Sequence, residues 1–129
     1  MARPKSDSLT ARELEVMHVF WNVGPLTAAE ARERLESQGR RLSYATVANL
    51  CRLLEKKGYV SRKGDARPFT FFPSKPFEEV SGHLVKDLIE KVFAGSRESL
   101  LVQLLGSKKL SKRERATLQQ FLEDENGGN

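Results

Sequence analysis

"LSYATVANLCRLLEKKGYVSRKGDARPFTFF", residues 42–72, begins as a helix, breaks at a glycine and ends in two short runs around a charged bend. Ser43 is a residue type that caps helix N-termini, and Val47, Leu50, Cys51 and Leu54 follow the i, i+3, i+4, i+7 spacing of one buried helical face. That phase turns Ala45, Thr46, Ala48, Asn49, Arg52 and Lys56 outward. Beyond Gly58, "YVSRK" and "FTFFP" alternate around Gly64-Asp65-Ala66-Arg67-Pro68, which predicts two short strands joined by a loop. Leu42 is a candidate for a third, very short strand.

Upstream, "TARE" at Thr10 and "TAAE" at Thr27 have the form of capping boxes, in which a hydroxyl caps a backbone N–H three residues on and the glutamate returns the bond. They predict one helix over residues 10–22 with Leu14, Met17, Phe20 and Trp21 inward, ended by Gly24-Pro25. A second should reach about Ser37 with Ala28, Ala31 and Leu35 inward. Three helices followed by a two-stranded hairpin is the plan of a winged helix-turn-helix.

Downstream, a long helix is expected over residues 77–93, with Phe77, Val80, Leu84, Leu88 and Val92 on one stripe and Val85, Ile89 and Phe93 widening it. Gly95 stops it. A short, strongly apolar helix carrying Leu100, Leu101, Val102, Leu104 and Leu105 follows Ser96. The box "SKRE" at Ser111 opens a last helix to about Glu123, with Leu118, Phe121 and Leu122 inward. An apolar arc this broad implies a partner chain. Val80, Leu84, Leu88, Val92, Leu100, Leu101, Leu104, Leu105, Leu118, Phe121 and Leu122 are the expected dimerisation residues. The expected fold is mainly α: a winged helix-turn-helix DNA-binding domain over residues 1–75, a helical dimerisation region over 76–124 and a disordered tail over 125–129.

At 129 residues, with 39% apolar and 30% charged residues, the composition is that of a globular chain with a real core. No apolar stretch is long enough to cross a bilayer, and "MARPKSDSLT" lacks the apolar segment of a secretory signal, so a cytoplasmic location without membrane insertion is expected. Cys51 is the single cysteine and His18 and His83 are the two histidines, too few for a zinc cluster, so no metal or cofactor is expected. Cys51, on the inward stripe, reads as a small hydrophobe, Trp21 as a core aromatic and His83 as a residue of the dimer seam. No nucleophile with a positioned base or carboxylate pair marks an enzyme, and Gly58, Gly64, Gly95 and Gly106 punctuate elements rather than form a phosphate loop.

Charge distribution argues for a nucleic-acid partner. Between Arg40 and Arg67 stand eight basic residues (Arg40, Arg41, Arg52, Lys56, Lys57, Arg62, Lys63, Arg67) against Glu55 and Asp65, whereas residues 77–129 carry eight basic against nine acidic residues. A helix fits the major groove of double-stranded DNA, where Asn pairs with adenine, Arg with guanine, and Ala or a Thr methyl with the thymine methyl. Ala45, Thr46, Ala48, Asn49 and Arg52 are therefore the expected base-contact residues, Asn49 and Arg52 foremost. Arg40, Arg41, Ser43, Tyr44, Lys56, Arg62, Lys63 and Arg67 are the expected backbone contacts. A solvated polar face explains any one such helix, and Lys56 and Lys57 also suit a helix C-terminus. The charge asymmetry, the hairpin and the order of elements together favour DNA. Two other functions fit the same architecture: a winged-helix protein-interaction adaptor, indifferent to Asn49 and Arg52, and a ligand-sensing repressor with a pocket beside the dimer helices.

The stretches "LTARELEVMHVFWNVGPLTAAEA", "YATVANLCRLLEKKGYVSRK", "RPFTFFP" and "LLVQLLGSKKLSKRE" give residues 9–122 a resemblance to the penicillinase-repressor family of bacterial transcription regulators. The resemblance implies a homodimeric repressor whose winged helices each read half of a palindromic operator, with C-terminal helices that swap over to form the dimer core. It places Ala45, Thr46, Asn49 and Arg52 on the recognition helix, while Leu53 stands where relatives often carry an arginine. In relatives induced by β-lactams a membrane sensor protease controls cleavage of an Asn–Phe bond in the penultimate helix. The similar position here is Gln103-Leu104, the candidate cleavage position. The C-terminal cysteine cluster of copper-responsive relatives is absent from this sequence.

Overall fold

The computed structural model describes residues 8–127; the first seven residues, and Gly128 and Asn129 of the expected tail, lie outside them. The elements run α1 (Ala11–Val23), β1 (Leu26–Thr27), α2 (Ala28–Ser37), α3 (Tyr44–Lys56), β2 (Val60–Lys63), β3 (Thr70–Pro73), α4 (Phe77–Lys91), α5 (Arg97–Ser107) and α6 (Lys112–Gly127). They form two compact units that divide between Ser81 and Gly82. The division falls inside α4, six residues beyond the boundary expected at residue 75, because Phe77 packs edge-on against Trp21 at 5.2 Å and Val80 is buried.

All three capping boxes close. Thr10 and Glu13, Thr27 and Glu30, and Ser111 and Glu114 exchange bonds of 2.8–3.2 Å, and Ser43 Oγ accepts from the N–H of Thr46 at 3.1 Å. Each box satisfies amide groups that have no partner inside the helix, so the sequence marks these starts to the residue.

The first unit packs α1, α2 and α3 around Val16, Met17, Val19, Phe20, Leu35, Val47, Cys51 and Leu54, closed at one side by Leu26, Val60 and Phe71 of the sheet. The buried arc of α1 is turned from the expected one: Val16 and Val19 are buried with Met17 and Phe20, whereas Leu14 and Trp21 are half-buried. Trp21 has a polar edge to satisfy, and its Nε1–H donates to the carbonyl of Lys75 at 2.9 Å. The antiparallel sheet has the order β1-β3-β2, with Leu26 opposite Phe71 and Arg62 also opposite Phe71. Its third strand is Leu26–Thr27 rather than Leu42, which lies in the α2–α3 connection and packs its side chain against the core.

The second unit has a different character. From Gly82 to Asn126 no described residue is buried. Leu84, Leu88, Val92, Leu101, Leu104, Leu105, Phe121 and Leu122 are exposed, and Leu100 and Leu118 are half-buried. Val80, expected among the dimerisation residues, is only 5% exposed within the single chain and so cannot offer surface to a partner. Gly95, at φ +86°, ends the α4 segment by donating to the carbonyl of Ile89 at 2.9 Å, a left-handed conformation that favours glycine. α6 continues through Glu125 and Asn126 to Gly127, so the tail expected to be disordered from residue 125 is helical to that point.

Candidate nucleic-acid interface

Helical residues advance about 100° each, so Ala45, Asn49, Arg52 and Lys56 share one narrow stripe of α3 opposite Val47, Leu50 and Leu54. All four stripe residues are exposed. Ala48 lies at the edge of the stripe, half-buried against the core. Thr46 lies a quarter turn away, and its hydroxyl accepts from Ser43 Oγ at 3.0 Å. Thr46 and Ser43 thus build the helix start together, and their hydroxyls are occupied by each other. On the stripe, Arg52 Nη2 donates to Asn49 Oδ1. The carbonyl oxygen that adenine recognition by Asn49 would need is therefore engaged, while the Asn49 amide N–H groups point to no protein acceptor among the described residues.

Beside the stripe lies a cleft of about 850 Å³, walled by Tyr44, Ala45, Ala48, Asn49 and Arg52 of α3, by Thr27, Ala28 and Ala29 at the start of α2, and by Arg62, Arg67, Pro68, Phe69 and Phe71 of the hairpin. Tyr44, half exposed in the first turn of α3, stands at its lip. Arg67 holds its guanidinium 5.7 Å from the centre of the Phe69 ring, and Lys63 projects from the end of β2 into solvent. Helix face and hairpin tip therefore frame one basic concave surface.

Not every expected contact is free to reach a phosphate. Arg40 bonds Glu15 at 3.1 Å through Nε, and Arg41 approaches Glu36 at 3.7 Å while remaining 89% exposed. Arg62 gives two hydrogen bonds to the Glu55 carboxylate, at 2.8 and 2.7 Å, which hold that carboxyl below its usual range and the guanidinium above its own. Lys57 turns inward: its Nζ donates to Glu13 at 2.7 Å and to the Ser8 carbonyl at 2.8 Å. Among the described residues the charged groups of the interface sort into those ion-paired within the chain and those without a carboxylate partner, Arg52, Lys56, Lys63 and Arg67 being the second set along with the loosely paired Arg41.

Sequence reasoning missed Glu55 and Phe69. Glu55 counted only as one acid in a basic stretch, although its position three residues after Arg52 and seven before Arg62 places it on the wing-facing side of α3. Phe69 was read as a strand residue, and its alternation with Phe71, both on the same sheet face as Arg62, was the available signal. Cys51 is fully buried, and burial pushes its thiol up to about 12. Among the described residues no group of three or more His, Cys, Asp or Glu side chains could hold a metal ion, and no helix is long and apolar enough to cross a membrane.

The family model described as "Penicillinase repressor" matches residues 9–124. The chain belongs to the penicillinase repressor family. It is 28% identical over 118 residues to the methicillin resistance regulatory protein MecI of Mammaliicoccus sciuri, covering 92% of this chain and 95% of that protein. It is also 27% identical to the penicillinase repressor of Bacillus licheniformis, covering 93% of each. Among solved structures, hsRosR-S1 superposes with a TM-score of 0.52 at 14% identity over 97% of this chain and 98% of that one. YusO from Bacillus subtilis superposes with a TM-score of 0.50 at 19% identity over 97% and 79%. At such identities these two likenesses speak for the winged-helix fold alone. Family membership makes this chain a DNA-binding transcriptional repressor and not an enzyme.

Proposed function

We propose that the protein represses transcription as a homodimer in which each α3 enters the major groove of one half of a pseudo-palindromic operator. The observation that carries this reading is the exposed stripe Ala45, Asn49, Arg52 and Lys56 beside a wing-lined basic cleft. Arg52 is the principal base reader. Braced by Asn49, its guanidinium is held ready for the paired acceptors of guanine, and Asn49 adds amide donors to the same edge. Ala45 and Ala48 are small enough to admit the backbone to the groove, and a methyl contact to thymine suits them. Lys56, Lys63, Arg67 and Arg41 lie where phosphate contacts fix register, and Tyr44 adds its hydroxyl to that set.

The bare apolar surface of α4, α5 and α6 supports the dimer. Leu104 and Leu105 on one short helix, with Leu84, Leu88, Val92, Phe121 and Leu122 on its neighbours in sequence, are 40–70% exposed, and so many large apolar side chains left to solvent mark an interaction surface. A second copy covers it, and reading two half-sites calls for two α3 helices about 34 Å apart, one turn of DNA, or a multiple of that. Such a repressor acts in the cytoplasm. Release by a membrane sensor protease at Gln103-Leu104 requires α5 to unwind first, because that bond lies in mid-helix and a protease takes its substrate extended.

The test is binding to the DNA upstream of the protein's own coding sequence and to a scrambled duplex, by fluorescence anisotropy across a salt series. The reading expects strong preference for the upstream DNA and a steep salt slope. Arg52→Ala should cost about 1–3 kcal/mol on that DNA alone, and Lys63→Ala should weaken both duplexes and lower the slope by about one. Weak, equal binding to both duplexes by a protein that also sediments as a monomer would contradict it.

A further inference from the structure

Glu55 poses a question for any surface that meets DNA, since a carboxylate there repels phosphate. Its side chain is half-buried and its two oxygens accept from Nε and Nη2 of Arg62 at 2.8 and 2.7 Å, the paired geometry in which a guanidinium is held in both position and plane. A face of that plane is occupied as well. The Arg62 guanidinium carbon lies 3.9 Å from the centre of the Phe69 ring and 5.9 Å from that of Phe71. Arg62 stands opposite Phe71 in the strand register, so it, Phe69 and Phe71 share one face of the hairpin, and that face looks towards α3. Glu55 on the helix, Arg62 on one strand and Phe69 at the end of the other thus form a continuous stack across the cleft.

We infer that Arg62 is a positioning residue that latches the wing to the recognition helix through Glu55 and Phe69, rather than a phosphate contact. The latch sets the distance between the Arg52 stripe and the wing tip, and Lys63 and Arg67 touch the phosphates in its place. An acid on a DNA-facing helix then has a reason: it is neutralised by the residue it positions. Val60 and Phe71 already anchor the base of the hairpin in the core, so the latch acts on its far end, residues 64–69, and keeps that end in register with the groove. The inference rests on the DNA-binding reading for its effect on affinity and on the side-chain geometry alone for its effect on the wing.

Two readouts on the full chain separate the possibilities. For Glu55→Ala a phosphate-contact role for Arg62 expects tighter DNA binding, since a negative charge is lost and the arginine is freed; the latch expects weaker binding, by roughly threefold or more, on operator and random duplex alike. Arg62→Ala should weaken binding by a similar factor, the double variant no further, and the salt slope should fall in all three. Independently of DNA, amide hydrogen exchange in residues 64–69 should accelerate in Glu55→Ala and in Arg62→Ala, with exchange in α1 unchanged. Tighter binding by Glu55→Ala, or unaltered exchange in the wing of both variants, overturns the latch. If the wild-type chain binds neither duplex, the DNA-binding reading has failed, and wing exchange still decides whether the latch exists.

Discussion

Replacing Lys57 with methionine should cost the fold about 2–4 kcal/mol at neutral pH, and the cost should shrink on acidification. Glu13 is the one buried charged residue among those described, its side chain 2% exposed, and its Oε1 accepts from Lys57 Nζ at 2.7 Å and from the Thr10 N–H at 2.8 Å. Removing one member of a buried pair commonly costs about 3–5 kcal/mol, because the other charge is left without a partner. Two features soften the loss here: the Thr10 N–H remains, and the 13% exposure of Lys57 lets water approach the vacated place. Methionine keeps most of the stem, so packing changes little. Burial raises the Glu13 carboxyl, but hydrogen bonds from Lys57 and Thr10 and the Lys57 charge outweigh it and hold the group below its ordinary 4.5. With the folded value below the unfolded one, the wild-type contribution is present above pH 4.5 and is lost as pH falls through the lower folded value. In the variant, burial is opposed by Thr10 alone, so the carboxyl titrates higher and its penalty fades as it takes up a proton. Urea denaturation followed by circular dichroism, at one protein concentration and at pH 7 and pH 4, measures both. A gap between variant and wild type that is below about 0.5 kcal/mol, or equally wide at both pH values, would refute this account of the pair.

Cys51, fully buried with its thiol pushed up to about 12, should resist thiol reagents at pH 8 in the native protein and react readily in urea; rapid native labelling would show that α3 opens locally. Trp21→Phe deletes the 2.9 Å bond to the Lys75 carbonyl and should lower stability by about 1 kcal/mol by urea denaturation; no change would mean that the bond is replaced by water at no cost. Leu104→Lys, at a side chain 57% exposed in the single chain, should leave the circular dichroism of the winged helix in place while shifting sedimentation towards monomer; an unchanged dimer would exclude Leu104 from the interface.

Most of the architecture can be read from local chemistry. Capping boxes at Thr10, Thr27 and Ser111, the apolar spacing of α3 and the glycines at 58, 64 and 95 act within a few residues, and a signal that short survives in the linear chain. The readings that needed correction were longer in range. β1 forms at Leu26 because β3 comes to lie alongside it, 45 residues on in the case of Phe71, and nothing in a two-residue strand announces that pairing. Val80 sits on the right stripe of α4 for a dimer face, yet the first turn of that helix belongs to the winged-helix unit.

The interface divides in the same way. Composition and periodicity by themselves determined that a basic stretch lies on the outward face of α3 and along the hairpin, because charge and phase are properties of the chain. Which charges remain available was a tertiary matter. Lys57 and Glu13 meet across 44 residues, Arg40 and Glu15 across 25, and Arg62 returns over the hairpin to Glu55. Ion pairing reaches only a few ångströms, so a basic residue's role depends on which carboxylate the fold brings beside it, and that distance exists only once the chain has folded.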